Sequence, residues 1–211
     1  MKCLIVSNGN IENYNFYKKI IIEADLIICA DGGAKHLVNM GAIPHIVIGD
    51  LDSIDEKNRK LFVSKKVKFL KFPVDKDATD TELATDFALS KNPSEIIYIG
   101  TIGSRMDHTL ANIALLKKLL EKGVFARIIN ENNEIYLIDK EIELYGNNGD
   151  FISILPLTEK VTGITLKGLK FPLHNAEIRL GSSLGISNSF VDKKATIKIQ
   201  SGQLLVIKAR D

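Results

Sequence analysis

Short β-branched apolar runs alternate with helix-length segments through the first 140 residues of the chain, and after that they alternate only with turns. This change of rhythm limits the fold more than any other feature. Runs at Leu4–Val6, Leu26–Ala30, Ile46–Ile48, Val67–Phe69, Glu95–Ile99 and Phe125–Ile129 read as buried strands. Between them, Tyr14–Ile22, Lys35–Met40, Asp55–Lys66, Thr81–Leu89 and Met106–Glu121 have helical length or spacing. The last predicts a helix with Leu110, Ile113, Ala114, Leu116, Leu119 and Leu120 on one broad face, stopping before Gly123. Such alternation specifies an α/β fold, a mostly parallel sheet with helices on both faces.

From Ile135 onward no segment has convincing helical spacing. Short strands are expected at Ile135–Ile138, Ile142–Tyr145, Phe151–Leu155, Val161–Leu166, Glu177–Leu180, Thr196–Ile199 and Leu204–Ile207, punctuated by glycine-bearing turns. The alternation Thr196-Ile197-Lys198-Ile199-Gln200 describes a strand with one wet face. The reading is therefore an α/β domain over residues 1–140 and a smaller antiparallel β-sandwich over 141–211.

Lys plus Arg number 28 against 26 Asp plus Glu, and no basic arm stands out, so nucleic acid is not an expected partner. No stretch approaches the length of a membrane span, and no membrane association is expected. Cys3 and Cys29, both in apolar runs, suit a reducing compartment, and the cytoplasm is the expected location. Aspartate is the uneven residue: nine fall between Asp31 and Asp107, and their placement carries the chemistry.

Those aspartates collect where strands end. The run Ile46-Val47-Ile48 stops at Gly49, and Asp50-Leu51-Asp52-Ser53 follows. Two carboxylates one residue apart at a strand's carboxyl end can both reach a hard cation such as Mg²⁺, with Ser53 expected as the cap of the next helix. Asp31-Gly32-Gly33 follows the second strand and opens a helix, so the backbone there can approach a phosphate. After the fourth strand, Asp77 and Asp80 stand three apart at a helix start and can share a face. Helix capping explains that pair equally well. After the fifth strand, Arg105 can fork onto phosphate oxygens or pair with Asp107. Carboxylates crowded on one sheet edge repel unless a cation neutralises them, which favours a metal–phosphate site over four unrelated caps. There is no P-loop pattern and no His-rich or Cys-rich cluster suggesting zinc.

Five segments together resemble the thiamine pyrophosphokinase (thiamine diphosphokinase) family: Ala30–Ala34, Pro44–Ile54, Asp75–Asp80, Gly103–His108 and Gly185–Ser189. The Gly-Asp-Leu-Asp-Ser stretch followed by Asp-x-Asp-x-Thr-Asp is the specific part. The resemblance implies transfer of a diphosphate from ATP to the hydroxyl of thiamine, giving thiamine diphosphate and AMP with Mg²⁺. It makes residues 1–140 the nucleotide-binding catalytic domain and 141–211 the thiamine-binding and dimerisation domain, in a homodimer with composite active sites. Carried over by motif, Asp50, Asp52 and Asp80, with Asp77 nearby, would hold Mg²⁺ and the triphosphate. Asp31, Gly32, Gly33, Arg105 and Asp107 would belong to the nucleotide site, and Ser187 and Asn188 would contact thiamine. Animal members have a stacking Trp in the segment resembling Leu169–Leu173; this chain has no Trp, and Phe171 stands there.

Two other functional classes fit an Asp-x-Asp grip on a diphosphate. A metal-dependent nucleotide-sugar transferase would not need the second acidic set or the sandwich. A non-catalytic nucleotide or thiamine sensor would bind without turnover.

Overall fold

The computed structural model describes residues 1–75 and 77–210, in two compact units, Met1–Glu131 and Asn132–Asp211. The division falls in the polar run Asn130-Glu131-Asn132-Asn133, earlier than the Lys140 expected from the sequence. The strand Asn133–Ile138 places Tyr136 and Ile138 in the core of the second unit, so that unit begins before Lys140.

In the first unit the strands are β1 (Lys2–Val6), β2 (Leu26–Ala30), β3 (Ile46–Gly49), β4 (Lys68–Lys71), β5 (Glu95–Ile99) and β6 (Phe125–Ile129). The helices are α1 (Lys18–Glu23, after a 3₁₀ turn Tyr14–Tyr17), α2 (Ala34–Asn39), α3 (Glu56–Ser64), α4 (Asp80–Leu89) and α5 (Met106–Glu121). The strands are parallel in the order β6-β5-β1-β2-β3-β4. The chain starts mid-sheet, builds outward to β4, then returns to the other side of β1. The carboxyl ends of β1 and β5 are thus the switch point, where ligands of open α/β sheets bind.

Buried on both faces, the central strands are apolar without interruption, as in Leu4-Ile5-Val6 and Ile96-Ile97-Tyr98-Ile99. On one face Leu4, Val6, Cys29 and Val47 pack with Tyr17, Leu37 and Phe62, from the 3₁₀ turn, α2 and α3. Alternate residues point the other way, and there Thr85 of α4 meets Tyr98 of β5. Edge strand β4 exposes Lys68 and Lys71, charges that discourage pairing with another chain.

Helix α5 has the expected bounds but a different inward face. Thr109, Asn112, Leu116 and Leu119 are buried, while Leu110 is 60% exposed and Ala114 is exposed. The first half of the helix turns polar groups inward because they fasten the loop after β5, which hydrophobic periodicity cannot register. Helix α3 is capped by Asp55, whose side chain accepts from the Asn58 amide at 2.8 Å, and not by Ser53. Ser53 stands where the chain is still turning.

The second unit contains β7 (Asn133–Ile138), β8 (Glu141–Tyr145), β9 (Phe151–Pro156), β10 (Lys160–Lys167), β11 (Leu173–Arg179), β12 (Asn188–Ser189), β13 (Lys194–Lys198) and β14 (Leu204–Ala209). They form two antiparallel layers, β12-β9-β14-β7 and β11-β10-β13-β8. Tyr136, Ile154 and Val206 of one layer share a core with Leu144, Ile164 and Ile197 of the other. Strand β11 starts earlier than its apolar pattern suggests: His174 and Asn175 are exposed between the partly buried Leu173 and Ala176, and the pairing with β10 shifts register twice. Among the described residues, no helix is long and apolar enough to cross a membrane.

Candidate active site

Five strand ends of the first unit open onto one cavity of about 840 Å³. The loop after β1 supplies Ser7–Asn10, that after β2 Ala30–Gly32, and that after β3 Asp50 and Ser53. The segment into α4 adds Val74 and Ala78–Thr81; the loop after β5 and the start of α5 add Thr101, Arg105, His108 and Asn112 among others.

The wall at the switch point is held by backbone. Past the sheet, the Ser7 N–H donates to the Ile99 carbonyl at 3.0 Å and the Asn10 N–H to the Ile102 carbonyl at 2.8 Å. Behind it, His36 Nε2 lies 2.7 Å from the Gly9 carbonyl. A carbonyl can only accept, so Nε2 carries the proton and Nδ1 accepts from the Tyr14 hydroxyl at 3.2 Å. Burial pushes the His36 imidazole below its ordinary value of 6.5. On the other side Asn112 Nδ2 donates to the Thr101 carbonyl at 2.8 Å, and the Gly103 N–H donates to Thr109 Oγ1 at 3.2 Å.

A chain of hydroxyls then runs from the cavity into the core. Ser7 Oγ and Thr81 Oγ1 are 2.9 Å apart, and Thr85 Oγ1 donates to the Thr81 carbonyl at 2.7 Å. With its proton committed there, Thr85 accepts from the Tyr98 hydroxyl at 2.8 Å. The first two turns of α4 are thereby tied to the residue after β1 and to β5.

Three carboxylates line the cavity: Asp31, Asp50 and Asp80. Asp31 is 8% exposed, adopts φ 38° and leaves Oδ1 buried with no hydrogen-bond partner. Beside it, Gly32 and Gly33 permit close packing: a Cβ on Gly32 would lie 2.4 Å from the Asn8 side chain, and one on Gly33 2.1 Å from the Val6 carbonyl. Gly32 lines the cavity, whereas Gly33 lies behind it. Asp80 opens α4, but the cap is Thr79, whose side chain accepts from the Glu82 amide at 3.2 Å. Asp80 is thus not the cap, although at the first helical position its charge is favoured by the helix dipole. Asp50 Oδ1 accepts from the Asp52 amide at 3.0 Å. The side chains of Asp52 and Asp77 are exposed, and neither residue lines the cavity. Lys76, between the acidic positions of that loop, is outside the described residues.

Arg105 lines the cavity while paired with Asp107, through Nε–Oδ1 at 3.2 Å and Nη2–Oδ2 at 2.5 Å. These bonds hold the exposed Asp107 carboxyl down at about 2. Among the described residues no three His, Cys, Asp or Glu side chains form a cage for a metal. Mg²⁺ does not require one, since it binds through one or two carboxylates together with water and substrate phosphates. The buried, unpartnered Asp31 Oδ1 beside Asp50 and Asp80 fits such a cation.

In the second unit Phe171 is 59% exposed, with the Lys170 ammonium 5.4 Å from its ring centroid. Ser187 is exposed in a left-handed conformation, φ 57°, and its N–H donates to Ser153 Oγ at 3.0 Å. Asn188 is buried, and its side-chain amide is engaged by the Phe171 backbone.

Comparison with known proteins bears on the same two units. The family model described as thiamin pyrophosphokinase, catalytic domain, matches residues 17–128, and that described as thiamin pyrophosphokinase, vitamin B1 binding domain, matches residues 137–204. The thiamine pyrophosphokinase of Bacillus subtilis is 36% identical over 90% of this chain and 89% of its own length. The chain belongs to the thiamine pyrophosphokinase family. Its activity is the family's, transfer of the diphosphate of ATP to thiamine with release of AMP. A crystal structure of thiamine pyrophosphokinase from B. subtilis superposes with a TM-score of 0.89 at 34% identity, covering 100% of both chains. One from Geobacillus thermodenitrificans gives 0.85 at 28% identity, covering 100% of this chain and 98% of that one. The two thiamine pyrophosphokinase models leave a gap that brackets the division between Glu131 and Asn132.

Sequence reasoning missed the loop after β1. Ser7-Asn8-Gly9-Asn10 reads as an ordinary turn, yet all four residues line the cavity. It has the same signature as the other strand ends, a glycine among small polar residues, without an aspartate to draw attention.

Proposed function

We propose that the cavity of the first unit binds ATP with Mg²⁺, and that Phe171 and Ser187 of the second unit contact thiamine. The observation that carries this reading is that Asp31, Asp50 and Asp80 line one cavity at the carboxyl ends of the parallel strands, with Asp31 Oδ1 buried and unpartnered. When bound, Mg²⁺ supplies neutralisation of the phosphate charge that develops as the diphosphate moves. Asp50 and Asp80 hold it, and Asp31 adds a third carboxylate. Asp52 contributes mainly through its backbone, which orients Asp50; Asp77 adds negative charge at the rim. Arg105 forks onto phosphate oxygens, with Asp107 holding its guanidinium in place. The Asn8–Asn10 wall orients the nucleotide. The thiamine hydroxyl oxygen attacks the β-phosphorus and releases its proton to solvent, the bond from the β-phosphorus to the α–β bridging oxygen breaks, and AMP departs with that oxygen. The exposed Phe171 ring offers a π face to the cationic thiazolium.

The chain works as a homodimer in which the nucleotide side of one subunit meets the thiamine side of its partner. Placement of the two groups in separate units supports this, because a two-fold operation makes such a contact twice. It works in the cytoplasm, a location supported by two buried free cysteines.

The test is formation of AMP and thiamine diphosphate from ATP and thiamine by the purified chain, with and without Mg²⁺. Stoichiometric products only with the metal are expected. Turnover undiminished by a chelator would reject the metal role, and binding of both substrates without AMP release would favour the sensor reading.

A further inference from the structure

The side chain of Asn188 behaves as a peptide group. Its Oδ1 accepts from the Phe171 N–H at 2.9 Å, and its Nδ2 donates to the Phe171 carbonyl at 2.7 Å. That is the two-bond exchange of a hydrogen-bonded antiparallel pair, made here by a side chain with one backbone residue. It continues a backbone pairing: the Lys170 N–H donates to the Ser189 carbonyl at 2.9 Å, and Leu169 bridges Phe190. Oδ1 also accepts from the Ser189 N–H at 2.9 Å. Asn188 is 3% exposed while Phe171 is 59% exposed, so one residue is committed inward and the other is presented outward. Aspartate keeps the acceptor and loses the donor, and glutamine carries an extra methylene that misplaces both.

We propose that Asn188 is a positioning residue for thiamine, acting through Phe171 by fixing the peptide from which the aromatic ring projects. This rests on the assignment of Phe171 to the thiamine site. A side chain that spends both ends of its amide on its own chain has little left for a ligand. Its effect on thiamine is therefore carried by the ring.

The experiment is a double-mutant cycle on the full chain with Phe171→Ala, Asn188→Asp, Asn188→Ala and the two combinations, reading KM for thiamine, KM for ATP and kcat. Asn188→Asp keeps the side-chain volume and two of the three bonds, so it provides a folded variant should Asn188→Ala unfold. Each single change is expected to raise KM for thiamine about fivefold or more and leave that for ATP within about twofold. In the Phe171→Ala background the Asn188 changes should add nothing further to KM for thiamine. Multiplicative effects would show that Asn188 touches thiamine directly and would overturn the proposal. An unchanged thiamine KM in Phe171→Ala alone would overturn it by a different route, by removing Phe171 from the thiamine site. An unchanged KM in Asn188→Asp and Asn188→Ala, with Phe171→Ala affected, would leave the site assignment standing and overturn only the positioning role.

Discussion

Asp31 and Asp80, from different strand ends, close over the Cα of Gly49: a Cβ there would lie 2.8 Å from Asp31 Cβ and 2.9 Å from Asp80 Oδ1. Gly49 also adopts φ 149°, which an L side chain resists. Gly49→Ala therefore has to displace the Asp80 carboxylate and strain the end of β3. We expect a loss of stability of ~1–3 kcal/mol and a larger fractional loss of kcat. Denaturant melts and AMP release measured on one preparation would check both, and native kcat would show that Asp80 does not need its observed place.

The carboxylates should not be equivalent. Asp50 and Asp80 line the cavity, whereas Asp52 turns its side chain to solvent. Asp50→Asn and Asp80→Asn are expected to lower kcat by ~10² or more, as removal of a charge-stabilising group does. Asp52→Asn keeps the backbone N–H that orients Asp50 and should lose much less. An Asp52→Asn loss as large as that of Asp80→Asn would return Asp52 to the metal.

Acid should loosen the wall behind Gly9. His36 has its folded pKa depressed by burial and by Lys35, with the Gly9 hydrogen bond and Glu131 acting the other way. The unfolded chain therefore binds the proton more readily, and this contribution to stability is present above the ordinary value of 6.5 and lost as pH falls below it. Protonation also places a donor at Nδ1 against a Tyr14 hydroxyl that already accepts from Asn39. Melting temperatures of the wild type should fall between pH 7 and pH 5 more steeply than those of His36→Asn. Parallel curves would remove His36 as the cause.

Lys170 holds its ammonium near the ring assigned to thiamine. A ligand cation on that ring must displace this charge or be repelled by it. Lys170→Gln should therefore lower KM for thiamine by about two- to fivefold, the equivalent of one exposed cation–π contact of ~0.5–1 kcal/mol, without altering KM for ATP. A raised thiamine KM would mean that the lysine assists binding.

The α/β alternation was legible because burial on both faces writes continuous apolar strands, and the Asp-bearing strand ends were legible because aspartates follow or border such runs. Residues β5 and β6 have their expected bounds for that reason. The inward polar face of α5 was not legible: Thr109 and Asn112 are buried by hydrogen bonds to the loop after β5, and polarity normally signals exposure. Nor was strand β12, whose two polar residues pair with Ile152 and Phe151 in a segment with no apolar run to mark a strand. Asn188 was visible as part of a motif, but its partner, seventeen residues earlier, could be found only in three dimensions.

The loops after β1 and β5 are joined by main-chain bonds that leave no room for a Cβ at Gly9 or Gly100 and are buttressed from behind by His36, Thr109 and Asn112, so the wall depends on those residues and not on the other side chains it displays. Asn10 and Ser104 border the cavity without being what holds that wall together. Single exchanges at such positions leave the sheet and its loop ladder intact while changing the surface offered to a ligand. A scaffold of this kind separates inheritance of the fold from inheritance of its preferences, and the second can drift by one codon at a time.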